Sequence, residues 1–186
     1  RPRGGGVVSE QTNEDGSVRF MPQLIGLDYT IRTNPVAEAF GLALADGHIT
    51  GHRCPSCSRV FAPPKGYCPI CVVATGPDDL VEVEDRGIVT SWTVLTPIQY
   101  AGQQERADYA LASILLDGAD GTIGQQRLVD VPLDGIRMGL RIEAVWNPPD
   151  ERVPDDRGYA LGTAVSGWRP TGEPDAPPSA YQDHTL

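Results

Sequence analysis

The chain has 186 residues, 40% of them hydrophobic and 22% charged, the balance of a globular protein and not of a disordered or membrane-spanning one. Twenty-five acids against fifteen bases give a formal charge of −10 and a pI near 4.6, which argues against a broad phosphate-binding surface built from clustered Lys and Arg. No apolar run is long enough to span a bilayer, and no basic-then-apolar leader opens the sequence, so the starting expectation is a cytoplasmic protein without a membrane or nucleic-acid partner. The first residue is Arg, which suits a processed product or a piece of a longer chain.

Residues 1–33 are Gly-rich at the start and polar through the first twenty, and read as a linker or N-terminal arm. Residues 34–47 predict a helix: Asn34 suits the N-cap, Pro35 the first helical position and Gly47 the left-handed stop. Its body, VAEAFGLALA, has almost no polar face, whereas a surface helix normally keeps a polar back. One side is therefore expected to pack on the rest of the chain and the other on a partner subunit, with Phe40 and Leu44 at that interface. Burial beneath the chain's own Met21, Leu24, Ile25 and Leu27 is the alternative.

Residues 48–76 contain all four cysteines, in the order Cys54-Pro55-Ser56-Cys57, ten residues, Cys68-Pro69-Ile70-Cys71. A chain of this compartment with cysteines so clustered is expected to hold a metal in preference to disulfides. Each Cys-x-x-Cys turn supplies two thiolates, and a hairpin between them, turning at Pro63-Pro64-Lys65-Gly66 and returning through Tyr67, would bring the knuckles face to face. Four protein ligands leave no open position for a catalytic water, so the ion should be structural Zn2+, with iron also chemically compatible. Two redox-active dithiols are the competing reading. His48 and His52 flank the cluster, but on an extended segment residues four apart lie about 13 Å from each other and cannot share one ion; they read as surface or strand histidines.

Residues 77–166 are a succession of short β-patterned runs. The stretches 81–84 and 87–95 read as one long strand bent at Asp85-Arg86-Gly87, followed by strands at 109–116, 122–131, 140–146 and 159–165. Five strands with a long bent first one suit a small barrel of the OB type, a sandwich being the alternative. Residues 167–186, rich in Pro and polar groups, read as a flexible tail. The expected fold is mainly β: an N-terminal helical segment, a rubredoxin-like zinc ribbon and a five-stranded OB-fold barrel. There is no G-x-S-x-G elbow, phosphate-cradling Gly loop or dinucleotide fingerprint, and no catalytic residue is assigned.

In this order, the helix, HRCPSCSRVFAPPKGYCPIC, GIVTSWTVLT, YALASILLDG and GQQRLVDVPLDGIRMGLRIEAVW resemble the zinc-ribbon/OB-fold acyl-CoA-associated family, long catalogued as domain of unknown function thirty-five. The resemblance runs from about Asn34 to Val165. It implies zinc on Cys54, Cys57, Cys68 and Cys71. It also implies a non-catalytic role beside a thiolase-fold enzyme, either a thiolase or an aldolase of the lipid-transfer-protein type, with acyl-CoA at the shared site. In steroid side-chain degradation such modules also occur behind a hotdog-fold hydratase domain in one parent chain. For acyl-CoA contact the candidates are Arg53, Arg59 and Lys65 near the ribbon and Tyr100 and Arg106 in the loop 97–108, with the nearly charge-free stretch 92–101 as an apolar wall. Two other classes stand against this reading: an OB-fold protein binding single-stranded nucleic acid through Trp92, Tyr100, Tyr109 and Trp146, and a stand-alone acyl-CoA-binding protein or thioesterase.

Overall fold

Helix α1 (Pro35–Asp46) begins and ends where its caps dictate. The Asn34 side chain accepts the backbone N–H of Ala37 at 2.8 Å, and Gly47, at φ 88°, lets the chain turn off with the N–H groups of Gly47 and His48 on the carbonyls of Leu44 and Ala43. Val36, Phe40, Gly41 and Leu44 form its buried stripe.

The computed structural model describes residues 11–12, 19–20, 34–98, 105–152 and 164–184. The chain divides into two units, Arg1–Arg32 and Thr33–Leu186. In the first, β1 (Gln11–Thr12) pairs antiparallel with β2 (Arg19–Phe20). Everything below concerns the second unit.

A three-stranded sheet carries the cysteines. Its centre is β3 (Ile49–Arg53), flanked by β4 (Val60–Phe61) and β5 (Leu80–Val83) in the order β4-β3-β5. Gly51 is obligatory at that centre, because a Cβ there would lie 2.9 Å from the Phe61 carbonyl oxygen. The knuckles are not joined by one intervening hairpin. Residues 54–57 form the tip of the β3–β4 pair, in which His52 lies opposite Phe61, whereas Tyr67 bridges to Ala74 across residues 68–71. Each knuckle thus sits at the tip of its own short ribbon.

The five-stranded sheet runs β10-β9-β6-β7-β8, comprising β6 (Arg86–Leu95), β7 (Tyr109–Leu116), β8 (Thr122–Arg127), β9 (Arg141–Trp146) and β10 (Val165–Pro170). It closes into a barrel where Leu128 bridges Trp168 in parallel and the Val129 N–H donates to the Trp168 carbonyl at 2.9 Å. First strand beside fourth, third closing on fifth: this is the OB arrangement. A register shift between Val89 and Ser91 marks the bulge at which β6 bends, with buried Thr90 donating its hydroxyl to the Ser113 carbonyl at 3.2 Å. The mainly β expectation of helix, ribbon and OB barrel holds.

Two boundaries differ from those read in the sequence. The long first strand is two strands in two sheets: β5 pairs with β3 in the ribbon, and β6 with β7 and β9 in the barrel. Asp85 effects the transfer, its carbonyl accepting the Ala144 N–H and its carboxylate the Trp146 indole N–H, both at 2.8 Å. The fifth barrel strand is Val165–Pro170, residues 159–163 of the expected strand lie outside the described residues, and what read as a tail from residue 167 begins inside the barrel. Trp168 is fully buried there, so the apolar residue that seals the seam lies within the Pro-rich stretch. Beyond it, the Ala176 N–H donates to the Gly139 carbonyl at 2.8 Å, and the Arg137 guanidinium forks onto Asp175 at 2.5 and 2.8 Å. Gly139 is fixed by this packing: φ is 81° and a Cβ would meet the Ala176 carbonyl oxygen at 2.6 Å.

One hydrophobic core serves helix, ribbon and barrel. Phe40, Leu44, Ile49, Val60 and Val83 join Val89, Ile114, Leu116, Ile142 and Trp168 in a single cluster.

Candidate metal centre

The sulfurs of Cys54, Cys57, Cys68 and Cys71 all lie within 4.8 Å of one another. The thiols of Cys57 and Cys68 are 3.8 Å apart, far beyond the disulfide bond of about 2.05 Å. It matches the edge of about 3.8 Å that four sulfurs make around a central ion at about 2.3 Å. Local backbone fixes the sulfurs: N–H groups of Ser56 and Cys57 point at the Cys54 sulfur at 3.4 and 3.5 Å, and the Cys71 N–H points at that of Cys68 at 3.4 Å. Cys54 and Cys68 are buried at the base, Cys57 and Cys71 half-buried at the rim. The four cysteines are placed so that they could hold one metal ion, and the donor set fits an ion that prefers tetrahedral thiolate.

The electrostatics agree. The Cys54 thiol is lowered to about 7, first by the Cys57 N–H, with the Ser56 N–H and the neighbouring sulfurs adding to it against the opposing effect of burial. Cys57 is pushed up to about 12: the Arg59 N–H pulls it down, but burial and hydrogen bonds to Cys71, Cys54 and Cys68 outweigh that. The pKa values of Cys54 and Cys57 are thus driven apart in the absence of a cation, and a cation at the centre of the four sulfurs would favour the thiolate of both.

His52 and His48 have separate fates. His48 is exposed, its Nδ1 3.1 Å from a Glu82 carboxylate oxygen. His52 is fully buried on β3, its ring 5.8 Å from that of Phe61, and neither ring nitrogen has a protein partner among the described residues. Burial pushes its imidazole below the ordinary value, against the opposing pull of Asp79, and so favours the neutral ring.

The other expected site residues are dispersed. Arg53, Arg59 and Lys65 are exposed on the ribbon. Arg53 donates to the Ser58 carbonyl at 3.2 Å and edges a recess of about 230 Å³ shared with Cys54, Pro55, Asp78 and Asp79. Arg106 is exposed just before β7, and Tyr100 lies outside the described residues. Phe40 and Leu44, expected at a partner interface, are instead only 7% and 2% exposed in the chain's own core. That face of α1 packs on β3 and the turn before β5, and the large apolar residue it leaves outward is Leu42. The proposed burying residues Met21, Leu24, Ile25 and Leu27 lie outside the described residues.

Among the described residues, exposed apolar side chains gather in two places besides Leu42 and the scattered Leu133 and Met138. Tyr67, Ile70, Val72 and Val73 belong to the second knuckle, and Trp92, Val94 and Ile98 to the far end of β6 and the residues after it. Trp92 and Val94 stand in register with the small buried Ala112 and Ala110 of β7. Among the described residues no helix is long and apolar enough to cross a membrane.

A four-cysteine ribbon leading into an OB barrel defines the class. Residues 80–147 match the family model of the ChsH2 C-terminal OB-fold domain. Among solved structures, the chain is similar to a DUF35-family protein of unknown function from Sulfolobus solfataricus, with 23% identity over 61% of this chain and 79% of that one and a TM-score of 0.48. It is also similar to the Ltp2-ChsH2(DUF35) aldolase, with 21% identity over 76% of this chain and 98% of that one and a TM-score of 0.49. No curated protein matches the chain.

Proposed function

We propose that the chain is a non-catalytic accessory subunit that assembles with a thiolase-superfamily enzyme, a thiolase or an aldolase of the lipid-transfer-protein type, and helps to form its acyl-CoA site. The observation that carries this reading is the match of residues 80–147 to the OB domain named for ChsH2, the component that the Ltp2-ChsH2 aldolase contains. Zn2+ on Cys54, Cys57, Cys68 and Cys71 is structural: with four protein thiolates the ion has no open position, and it fixes a ribbon too small for a core of its own. Arg53, Arg59, Lys65, Tyr100 and Arg106 are the candidates for the phosphates of CoA, and Trp92 and Val94 supply apolar wall for the pantetheine or acyl chain. The bond-making and bond-breaking groups belong to the partner, whose substrate in this reading is a steroid side-chain acyl-CoA undergoing retro-aldol cleavage; a hotdog-fold hydratase domain is a further component of such an assembly.

Affinity purification of the tagged chain from its native host, followed by mass spectrometry, tests this. Recovery of a thiolase-fold subunit near one-to-one is the expected result. Recovery of the folded, metal-loaded chain alone, or turnover of acyl-CoA by the chain alone, overturns it.

A further inference from the structure

The two knuckles share one backbone and carry opposite chemistry. In each, the first cysteine donates its N–H five residues ahead, Cys54 to the Arg59 carbonyl at 2.9 Å and Cys68 to the Val73 carbonyl at 2.8 Å. In each, the residue after the second cysteine donates back to the first, Ser58 to Cys54 and Val72 to Cys68, both at 2.9 Å. At matching places the first knuckle has Ser56, Ser58 and Arg59, and the second has Ile70, Val72 and Val73.

Val72 is the telling member. The turn forces its position into the left-handed region, with φ 56°. That conformation crowds any Cβ and a β-branched side chain most of all, while glycine takes it freely. Nothing in the chain's own packing compensates, because Val72 is 79% exposed. Ile70 is 59%, Tyr67 47% and Val73 37% exposed on the same knuckle. A strained, solvent-facing apolar residue among three others is not explained by the stability of this fold; backbone strain of this kind gathers where a partner is met.

Charge defines the partner. No Asp or Glu occurs between Asp46 and Asp78, so the exposed charged side chains of the knuckles and of the segment joining them are Arg53, Arg59 and Lys65, in a chain of net charge −10. Asp78, Asp79 and Glu82 are confined to β5 and the turn before it. We propose that the second knuckle is a docking plug, centred on Val72 and Ile70, for a protein surface that offers an apolar pocket rimmed by carboxylates. This rests on the accessory-subunit reading above and locates its interface. Nucleic acid and anionic membrane are the poorer fits, since both need more cations than three and both repel the rest of the chain.

The test measures affinity for the enzyme subunit recovered with the tagged wild-type chain, using metal-loaded Val72→Gly, Val72→Glu, Ile70→Glu and Arg59→Glu. Val72→Gly should bind about tenfold more weakly while its thermal midpoint stays level or rises, the opposed signs of a residue kept for a partner against its own backbone. Both Glu variants at the plug should abolish binding with metal retained, and Arg59→Glu should weaken it at low salt only. A wild-type complex indifferent to Val72→Gly and to both plug Glu variants overturns the plug but leaves the accessory role standing. A Val72→Gly that loses metal and stability also overturns the plug, by showing that valine serves the ribbon itself. Absence of any wild-type complex overturns the accessory role instead. Binding of oligo-dT or phosphatidylserine vesicles that is lost in Val72→Glu overturns the choice of a protein partner.

Discussion

Asp120 holds Val60 from two directions: its backbone N–H donates to the Val60 carbonyl at 2.7 Å, and its carboxylate accepts the Val60 N–H at 2.8 Å. The β7–β8 turn of the barrel thereby occupies the free edge of β4 in the ribbon. Beside it, Gly121 lies so close that a Cβ would meet the Phe61 ring at 2.8 Å.

Asp120→Ala should therefore destabilise the chain by about 1–3 kcal/mol, the range for a hydrogen bond to a charged acceptor whose donor is left partly buried. Urea unfolding of the metal-loaded protein measures it, and Asp120→Asn should recover part of the loss.

Metal removal should act on the ribbon first. Structural four-ligand sites contribute an apparent binding free energy of about 10–16 kcal/mol at neutral pH, more than the whole stability of a typical domain. One ion per chain is expected by metal analysis, and Co2+ in its place should give thiolate-to-metal absorption of a tetrahedral site. Cys68→Ser should abolish both and lower the unfolding midpoint; a chain whose midpoint ignores chelation contradicts the structural role.

Trp168 closes the barrel. Trp168→Ala should cost about 3–5 kcal/mol, and a chain ending at residue 164 should fail to fold as a barrel. Trp168→Phe should be milder, because the indole N–H it gives up has no partner among the described residues. Thermal denaturation orders the three.

Glu173 clips the segment after β10 to the barrel, accepting from Arg86 at 2.7 Å, with Arg141 at 3.5 Å. The hydrogen bond from Arg86, reinforced by the charges of both arginines, lowers the Glu173 pKa in the fold. A lowered carboxyl contributes stability that is present above its unfolded value, about 4.3, and is lost as pH falls through the folded one. Wild type should exceed Glu173→Gln in stability at neutral pH, with the gap closing below about pH 4. A gap that persists in acid points to a role other than charge.

The sequence carries the helix and the knuckles legibly, because caps and Cys-x-x-Cys spacing are local signals. Asn34, Pro35 and Gly47 occupy the places their chemistry dictates, and Tyr109–Leu116 alternates buried and half-buried without a break. What is lost is non-local. Nothing in Val81 or Ile88 says that one pairs in the ribbon and the other in the barrel, since both are β-branched residues of what reads as one long interrupted strand. Trp168 is hidden by its Gly and Pro neighbours, which dominate composition while a single indole seals the seam.

Phe40 and Leu44 show the same limit at the site. Which face of an apolar helix the chain covers and which it leaves outward depends on the core, and here the core takes Phe40 and Leu44 and leaves Leu42 exposed. Arg53, Arg59 and Lys65 are on the ribbon as their spacing implies, whereas Tyr67, Ile70, Val72 and Val73 escaped notice as a set. Their signal was present: two β-branched residues directly after Cys71, where the turn favours glycine, inside a stretch without acids.

Between β5 and β6 only Glu84 and Asp85 intervene, and both backbones are engaged, the Glu84 N–H on the Asp117 carbonyl at 3.2 Å and the Asp85 carbonyl on Ala144. With Asp120 bracing the opposite side, the ribbon is cantilevered from the barrel without a joint. Whatever grips the knuckle tip therefore gains leverage over the barrel's orientation through these hydrogen bonds.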